Sequence, residues 1–297
     1  MPNTCATVLG VGRMGSAMAR RLAEKGFQLV LWNRSPEKAE KLAEEIGAEV
    51  AASPAEAASM CSTVHLVVSD DEAVIQVLSS KGGLLEAAEG VTLYNHVTVT
   101  PRGSLLAAKL LEERGGVYVE APVAGNPRNA REGSLVILCA SRAGRSVCEA
   151  PQLKALGEPV WLGEPPRAAA AKLGFNISFL GVVAALGEAF ALAEAYGLDA
   201  RVFAREVLGR TWLRRIVERY GDRLWPPREA SFAAELAGKD ARYAARALQE
   251  RGMPGSLATA VAEYYALMVH EGLGASDYPS LAGFLAEYAA KASKEGK

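Results

Sequence analysis

The longest apolar segment of the chain, residues 167–197, predicts one long helix. Two prolines, Pro165 and Pro166, favour a helix start there, and the glycine at position 197 favours its end. Apolar residues lie on every side of this helix, which predicts that it is buried all round. Lys172 and Asn176 interrupt the apolar run at a spacing of four residues, so a helix places both side chains on one face.

Three interpretations of this segment compete. A membrane span needs about 20 apolar residues, but Lys172, Asn176 and Ser178 interrupt the run and no basic flank follows it. The structural interpretation is a buried linker helix whose lysine reaches the surface with its charged end. The functional interpretation is a lysine held in a cleft between two domains, and its weight depends on the rest of the chain.

Upstream of this segment, strand-like and helix-like patterns alternate, which predicts a mostly parallel sheet wrapped by helices. The predicted strands are residues 6–9, 28–32, 49–51, 65–68, 91–94, 117–120, 135–140 and 159–161, and the predicted helices are 16–25, 36–46, 54–60 and 101–114, with one more beginning after 69–72. Downstream, only helical patterns occur, at residues 200–208, 213–220, 233–249, 257–271 and 281–293. This order predicts an α/β domain followed by helices.

A glycine-rich turn joins the first predicted strand to the first predicted helix. In Gly10-Val-Gly-Arg-Met-Gly15, one glycine makes the tight turn, one lets the backbone approach a pyrophosphate, and one lets helix and strand pack closely. A phosphate at this place would meet free N–H groups at the helix start. The turn predicts a dinucleotide site whose cofactor-binding residues are Gly10, Val11, Gly12, Arg13, Met14 and Gly15.

The end of the second predicted strand is where a dinucleotide-binding fold selects between NAD and NADP. NAD-binding folds carry Asp or Glu there, whereas this chain has Asn33, Arg34 and Ser35, with Lys38 close behind. A guanidinium binds a 2′-phosphate through two charge-assisted hydrogen bonds, whereas a carboxylate would repel it. We therefore predict NADP as the cofactor and these four residues as contacts. An ordinary solvated loop is the alternative.

Ligands of parallel sheets bind beyond the carboxyl ends of the strands. This rule places Ser69 and the loops 95–98 and 121–126 at the predicted site. His96 lies in one of these loops, but it has no evident carboxylate partner, so a structural role is favoured over catalysis. His65 lies within a predicted strand and is interpreted as a hydrogen-bonded core residue.

Composition and charge narrow the possible partners. The 297 residues carry 33 basic and 34 acidic side chains, so a formal net charge of −1 gives no global field for nucleic acid or an anionic membrane. Cys5, Cys61, Cys139 and Cys148 lie far apart without a Cys-x-x-Cys pair, which argues against a zinc site and a disulfide framework, and no metal is expected. Free cysteines and no visible export signal predict a reducing, cytoplasmic compartment.

Four stretches of the chain follow one another in the order and at the spacing of a known family. Residues 10–22 are close to that family's cofactor motif, and Glu120-Ala-Pro-Val-Ala-Gly-Asn126 is similar to its substrate loop. Residues 171–176 match its catalytic Lys-x-x-x-Asn, and Lys239-Asp240 matches the lysine that closes over the nicotinamide. On these residues the chain resembles the β-hydroxyacid dehydrogenase family, which includes 3-hydroxyisobutyrate dehydrogenase and tartronate semialdehyde reductase.

The resemblance implies a Rossmann domain at residues 1–164 and an all-α substrate and oligomerisation domain at residues 165–297, joined by the long helix. It implies that Lys172 is the general acid and base and that Asn176 orients it or holds the substrate carboxylate. The remaining cofactor contacts that it implies are Val68, Ser69, Thr98 and Lys239, and the implied substrate-binding residues are Ala124, Gly125 and Asn126. A homodimer or homotetramer is also implied.

Two loops depart from the family's pattern. The loop that usually reads Asp-x-Ser-Thr-x-x-Pro reads Asn95-His-Val-Thr-Val-Thr-Pro101 here, so Val97 replaces the serine. In the substrate loop, Ala124 replaces serine and Asn126 replaces glycine. A lost hydroxyl removes one hydrogen bond to a substrate carboxylate, although backbone N–H groups and the Asn126 amide could replace it. These departures leave the reaction class in place and the identity of the acid open.

The expected function is an NADP-dependent oxidoreductase that transfers hydride between the nicotinamide and a small carboxylate, namely a short 3-hydroxy acid or its semialdehyde. Candidates are 3-hydroxyisobutyrate, serine and glycerate, and reduction of glyoxylate or succinic semialdehyde fits the same pocket. The rivals are an NADPH-dependent imine reductase, a cofactor-binding protein without catalysis, and a lyase or isomerase on the same fold. The first two generally lack lysine at the position of Lys172, which disfavours both.

Overall fold

The computed structural model describes residues 5–226 and 229–295, and the chain divides into two compact units, Met1–Lys172 and Leu173–Lys297. The division falls inside the long helix. The predicted domain boundary between residues 164 and 165 lies just before that helix and stays a prediction.

The first unit alternates strands and helices. Its strands are β1 Cys5–Leu9, β2 Gln28–Trp32, β3 Glu49–Val50, β4 Thr63–Leu66, β5 Thr92–Asn95, β6 Val117–Glu120, β7 Val123–Ala124, β8 Leu135–Ala140 and β9 Gly157–Gly163. Its helices are α1 Arg13–Glu24, α2 Pro36–Ile46, α3 Pro54–Met60, α4 Asp71–Ser79, α5 Pro101–Glu112, α6 Pro127–Glu132 and α7 Pro151–Leu156. The pattern did not predict β7, α6 or α7, because each is only two to six residues long and shows less than two full periods.

In the described part of the chain, the strands form one sheet in the order β3-β2-β1-β4-β5-β6-β8-β7, with β9 beside β8. The pairs from β3 to β6 are parallel, and β8 runs antiparallel to both β6 and β7. The strand order reverses between β1 and β4, and such a reversal opens a crevice at the carboxyl ends of the strands where dinucleotides bind. The predicted Rossmann architecture is confirmed.

Two apolar clusters hold this sheet between its helices. Val8, Met18 and Leu22 belong to one cluster, and Leu66 and Leu78 belong to the other, all of them fully buried. The near-continuous apolar strands reflect this burial on both faces of the sheet. Each fully buried large side chain stabilises the fold by roughly 1.5–3 kcal/mol relative to exposure.

The long helix α8, Arg167–Ala195, confirms the prediction of a single long helix. By length and composition it could cross a membrane, a test that core helices of soluble proteins also pass. Leu180, Val183 and Phe190 are buried in the apolar core of the second unit, as expected of a core helix. Burial all round is wrong, however, since Phe175 is 47% and Leu192 63% exposed. The described residues leave these two positions uncovered, so a uniformly apolar sequence does not ensure a partner on every side.

The second unit continues with helices only. They are α9 Ala200–Val202, α10 Arg214–Tyr220, α11 Ala234–Gln249, α12 Ser256–His270 and α13 Leu281–Glu295. Residues 200–208 are helical as predicted, but α9 passes into a π turn at Phe203–Val207 and then a 3₁₀ turn at Leu208–Arg210. Helices α11 and α12 pack closely, because small residues line α11 and a Cβ on Gly238 would already lie 3.0 Å from Tyr265.

All four cysteines are paired in the described chain, so the prediction of free cysteines is wrong. Cys5 is bonded to Cys61, and Cys139 to Cys148, each pair with its Cα atoms 6.1 Å apart. The first pair is 56 residues apart in sequence and meets because β1 lies beside β4. Whether two cysteines can form a disulfide depends on the distance between their Cα atoms in the fold. The sequence spacing of these cysteines does not reveal that distance. The inference from free cysteines to a reducing, cytoplasmic compartment therefore loses its premise.

Candidate active site

The glycine-rich turn lies between β1 and α1, at the reversal of strand order. Gly10 has a φ of +100°, and a Cβ there would lie 2.2 Å from the Val67 carbonyl oxygen, so the position requires glycine. A Cβ on Gly15 would lie 1.9 Å from the Gly10 carbonyl oxygen, which shows how closely helix and strand approach. A Cβ at Gly12, by contrast, would have no heavy atom within 4 Å apart from those of the adjoining chain. The backbone at Gly12 is therefore open to a ligand, and the turn fits a dinucleotide pyrophosphate.

Asn33 holds this turn against the end of β2. Its Oδ1 accepts a hydrogen bond from the Val11 N–H at 3.1 Å, and its Nδ2 donates to the Ser35 carbonyl oxygen at 3.0 Å. The Gly10 N–H donates to the Trp32 carbonyl oxygen at 2.8 Å beside it. Asn33 and Val11, which the sequence predicts as cofactor contacts, thus have a structural role in shaping the turn.

The residues predicted to select NADP lie at the carboxyl end of β2. Arg34, Ser35 and Lys38 are all exposed, and Ser35 is the N-cap of α2. Arg13, at the start of α1, is exposed as well, and Met14 is half-buried. The cationic side chains Arg34 and Lys38 are therefore accessible to an anion at this edge of the sheet.

Three further predicted contacts follow neighbouring strands. Val68 and Ser69 come after β4, and Thr98 comes after β5, which pairs with β4 in parallel. Val68 and Thr98 are half-buried, and the exposed Ser69 donates its hydroxyl to Asp70 Oδ2 at 2.6 Å. Because β1, β4 and β5 are parallel, all three residues lie at the same edge of the sheet as the glycine turn.

The two histidines of the first unit form a buried pair behind these loops. His65 Nδ1 lies 2.9 Å from His96 Nε2, and His96 Nδ1 lies 2.7 Å from the Ala121 carbonyl oxygen. The carbonyl can only accept, so His96 donates from Nδ1 and, when neutral, accepts from His65 at Nε2. Burial lowers the pKa of His96 to about 4 and that of His65 well below its usual range. Both imidazoles are therefore neutral at neutral pH, and the predicted structural roles agree with this geometry.

The predicted substrate-binding residues Ala124, Gly125 and Asn126 connect β7 to α6. Gly125 has a φ of +143°. Asn126 is the N-cap of α6: its Oδ1 accepts from the N–H groups of Arg128 and Asn129 at 2.9 and 3.2 Å, in a capping box. This local role accounts for asparagine where the family usually has glycine.

In the second unit, a buried polar cluster surrounds Asp240 on α11. The Asn176 side-chain amide donates to Asp240 Oδ2 at 2.6 Å, and Lys239 Nζ lies 3.0 Å from Asp240 Oδ1. Lys239 Nζ also lies 5.1 Å from the centroid of the Tyr243 ring. Asn176 and Asp240 are each 2% exposed. The buried Asp240 carboxylate therefore orients the side-chain amide of Asn176, which the sequence predicts as a catalytic residue.

The sequence prediction did not assign a role to Asp240. A signal for it exists, because Asp240 lies three residues after Ala237 and four before Ala244, on the buried stripe of α11. An acidic residue on an apolar stripe requires a partner.

Lys172 lies on α8 one turn before Asn176, as predicted, and is 9% exposed. A lysine at this burial is not on a solvated helix face. Within the described residues, no group of three side chains that could hold a metal is found.

Two family descriptions match the chain. Residues 6–163, more than half of its length, match the NAD binding domain of 6-phosphogluconate dehydrogenase. Residues 167–285 match the family described as NAD-binding of NADP-dependent 3-hydroxyisobutyrate dehydrogenase. The two matches follow one another and together span both units.

Individual proteins are similar to the chain as well. Glyoxylate/succinic semialdehyde reductase 1 of Arabidopsis thaliana is 34% identical over 194 residues, which are 65% of this chain and 67% of that protein. The structure of Mycobacterium tuberculosis 3-hydroxyisobutyrate dehydrogenase with L-serine has a TM-score of 0.80 at 22% identity, covers 96% of this chain and 99% of its own, and supports the fold. An imine reductase from Pseudomonas sp. has a TM-score of 0.60 at 27% identity and covers 96% of this chain and 99% of its own.

Proposed function

The chain belongs to the β-hydroxyacid dehydrogenase family, and on this basis we propose that it is an NADP-dependent oxidoreductase acting on a short 3-hydroxy acid or its semialdehyde. A bound nicotinamide supplies the hydride donor or acceptor. The observation that carries the proposal is the placement of Lys172 one helical turn before Asn176, whose amide is fixed by the buried Asp240.

Lys172 is the proposed proton donor and acceptor for the substrate oxygen. A lysine amine ordinarily carries its proton at neutral pH, so in the direction of reduction it can donate a proton to the developing hydroxyl. In the direction of oxidation, the neutral amine takes the hydroxyl proton. Both steps require the amine to be held in one place, and the burial of Lys172 supports this.

Asn176 is the proposed positioning group for that amine or for the substrate carboxylate. The carboxylate of Asp240 can only accept when ionised, so Asn176 Nδ2 is the donor and the amide orientation is defined. Its Oδ1 is then the atom that accepts from a donor such as an ammonium group. The backbone at Ala124, Gly125 and Asn126 is the proposed place of the substrate carboxylate.

Arg34 and Lys38 are the proposed determinants of the NADP preference. Both side chains are exposed cations at the end of β2, where a carboxylate would select NAD. A single substitution should therefore change the cofactor preference without changing the chemistry. We also propose, from the family resemblance, that the protein acts as a homodimer or homotetramer.

The first experiment measures initial rates with NADP and NAD against 3-hydroxyisobutyrate, L-serine and glycerate, and with NADPH against glyoxylate, succinic semialdehyde and a cyclic imine. Lys172→Ala is run beside the parent, with Lys109→Ala as the matched control because Lys109 has an exposed side chain that forms a surface ion pair. The expected result is turnover of one acid or aldehyde, a loss of at least about 100-fold in kcat for Lys172→Ala, and NADPH binding unchanged in both variants.

Other outcomes decide against the proposal. Turnover of the imine alone would assign the chain to the imine reductase class, which the 27% identical neighbour represents. If Lys172→Ala is as active as Lys109→Ala, Lys172 is a structural residue. If NADPH binds but no substrate turns over, the non-catalytic interpretation is preferred.

The cofactor preference has its own test. Arg34→Ala is compared with Lys41→Ala. The control also removes one positive charge, from an exposed position within α2. The ratio of kcat/KM for NADP over NAD should fall at least about tenfold in the first variant, which is about 1.4 kcal/mol, and stay unchanged in the second. An equal effect in both variants would show that positive charge attracts NADP in general and that Arg34 does not bind its 2′-phosphate specifically.

A further inference from the structure

The carboxylate of Glu120 is buried between the sheet and the long helix. Glu120 is the last residue of β6, directly precedes the substrate loop, and is 1% exposed. Its Oε1 accepts a hydrogen bond from the Ser104 hydroxyl, and its Oε2 accepts from the Ala168 backbone N–H at 2.8 Å. Because Ala168 is the second residue of α8, this carboxylate lies at the N-terminus of the helix that carries Lys172.

Helix α8 has none of the usual N-capping side chains directly before it, although the Arg167 N–H donates to the Glu164 carbonyl oxygen at 3.1 Å. Pro165 and Pro166 precede Arg167, so no Ser, Thr, Asp or Asn is placed to accept from the first N–H groups, and the first turn contains no acidic residue. The Glu120 carboxylate takes this role from 48 residues away. A negative charge there also matches the positive end of the helix dipole. Burial raises the pKa of Glu120, and the hydrogen bonds from Ser104, Ala168 and Ala169 oppose that rise.

A chain of buried hydrogen bonds holds Glu120 in turn. Ser104 Oγ lies 3.1 Å from the Tyr118 hydroxyl, which accepts from Asn95 Nδ2 at 2.9 Å. Asn95 Oδ1 accepts from the Val97 N–H at 3.1 Å, within the loop that also contains Thr98. The start of α8 is thereby tied to the loop after β5 by side chains with defined partners, and a fully satisfied polar network of this kind is rigid.

Lys172 lies four residues after Ala168, so the anchored N–H and the proposed catalytic residue are separated by one helical turn, about 6 Å along the axis. Any displacement of the first turn moves Lys172 by a similar amount. A misplacement of about 1 Å in a catalytic group can lower a rate about 100-fold. The residue after Glu120 begins the loop at 121–126, so one carboxylate links both parts of the site.

We propose that Glu120 is a positioning residue: by holding the first turn of α8, it sets the place of Lys172 relative to the substrate loop. This inference rests on the proposed function, because it takes Lys172 as the group that exchanges the proton. A purely structural carboxylate would affect the stability of the fold and leave kcat unchanged in the folded enzyme.

The test is a double-mutant cycle between Glu120→Met and Lys172→Ala. Methionine keeps the length of the side chain and removes both acceptor oxygens. In the parent background, Glu120→Met should lower kcat at least about tenfold while the affinity for NADPH stays within about twofold. In the Lys172→Ala background the same change should alter the residual rate less than about twofold, because the group being positioned is absent.

Two more variants separate positioning from stability. Glu120→Gln retains one oxygen for the Ala168 N–H, and the Ser104 hydroxyl can turn to accept from its amide, so it should restore most of kcat. Ser104→Ala breaks the bond on the other oxygen and leaves the Ala168 contact in place, so it should lower Tm and should lower kcat by a smaller factor than Glu120→Met does. Should Glu120→Met fail to fold, Glu120→Asp, which withdraws the charge by one methylene, replaces it in the cycle with an expected loss of several-fold.

The proposal is overturned if Glu120→Met leaves kcat unchanged, or if it lowers the rate by the same factor with and without Lys172. If Lys172→Ala itself keeps the parent rate, the proposed function fails. The positioning of Lys172 is then tested by the reactivity of its amine rather than by the enzymatic rate. Acetylation by acetic anhydride, followed by mass spectrometry, compares Lys172 with Lys109 in the parent and in Glu120→Met. A changed ratio supports positioning, and an unchanged ratio overturns it.

Discussion

The side-chain amide of Asn176 donates to Asp240 at 2.6 Å, although 64 residues separate the two in sequence. The same carboxylate lies 3.0 Å from the amine of Lys239, which is 14% exposed. One buried acid therefore orients an amide on α8 and neutralises an amine on α11. Its loss should affect stability and catalysis by different routes.

Asp240→Asn tests this double role. The change leaves the mostly buried Lys239 without a counter-charge, and we expect the free energy of unfolding to fall by on the order of 2 kcal/mol, measured by urea denaturation. The rate should fall as well, because the orientation of Asn176 is no longer fixed. Adding Lys239→Met to Asp240→Asn removes the unpaired charge and should recover most of the stability without recovering kcat. Recovery of both would show that the carboxylate has no part in the reaction.

Two glycines of the cofactor turn should respond in opposite ways to alanine. Gly12→Ala adds a methyl group that would meet no atom within 4 Å beyond the adjoining chain, and the backbone φ is −67°, so Tm should be unchanged. Affinity for NADPH should fall about tenfold or more, or about 1.4 kcal/mol, because the methyl group occupies the space for the pyrophosphate. Gly10→Ala places a Cβ 2.2 Å from a carbonyl oxygen and should destabilise the fold itself. Thermal unfolding and a fluorescence titration with NADPH distinguish the two; unchanged affinity in Gly12→Ala would contradict the site.

The His65–His96 pair should make the protein less stable in mild acid. Burial lowers the pKa of His96 to about 4, below its usual value of 6.5. Between these values the unfolded chain binds a proton that the folded chain does not, so stability falls as pH falls from about 6.5 towards 4. For His96 alone the loss at pH 5 is about 2 kcal/mol relative to pH 7.

His96→Gln should reduce this pH dependence, measured as the free energy of unfolding in urea at pH 7, 6 and 5. The exposed His270 offers the matched control, since His270→Gln removes a histidine from the surface. An identical decline in the parent and His96→Gln would show that the pair does not titrate with unfolding.

The disulfides should contribute unequally to stability. Cross-linking a chain stabilises the fold more when the enclosed loop is longer, and separations of 56 and 9 residues correspond to about 4 and about 3 kcal/mol. Cys5→Ser with Cys61→Ser should therefore lower the free energy of unfolding more than Cys139→Ser with Cys148→Ser. A thiol assay on the denatured, unreduced protein should find the four cysteines unreactive. Four reactive thiols would instead restore the argument for a reducing compartment.

Most strands and helices with about two or more hydrophobic periods could be predicted from the sequence, and β2, α2, β6 and β8 have the predicted bounds. What could not be predicted depends on distant parts of the chain meeting. The Asn33 bond to Val11 joins residues 22 positions apart, and the Cys5–Cys61 disulfide joins residues 56 positions apart, so in both cases the folded structure determines the partner. The glycine turn could be predicted because the backbone geometry at Gly10 and Gly15 leaves no room for a Cβ, so only glycine fits there.

The capping of α8 by Glu120 also limits how this chain can be divided. A fragment that ends after β9 would keep every described strand of the sheet but would lose both the Ala168 N–H that binds Glu120 and the helix that covers this carboxylate. We therefore expect a fragment that ends at residue 163 to be less stable than one that includes the first turn of α8. Chimeras that exchange its helical half with that of a relative should be joined after the first turns of α8, so that the acid and the helix it caps come from the same parent.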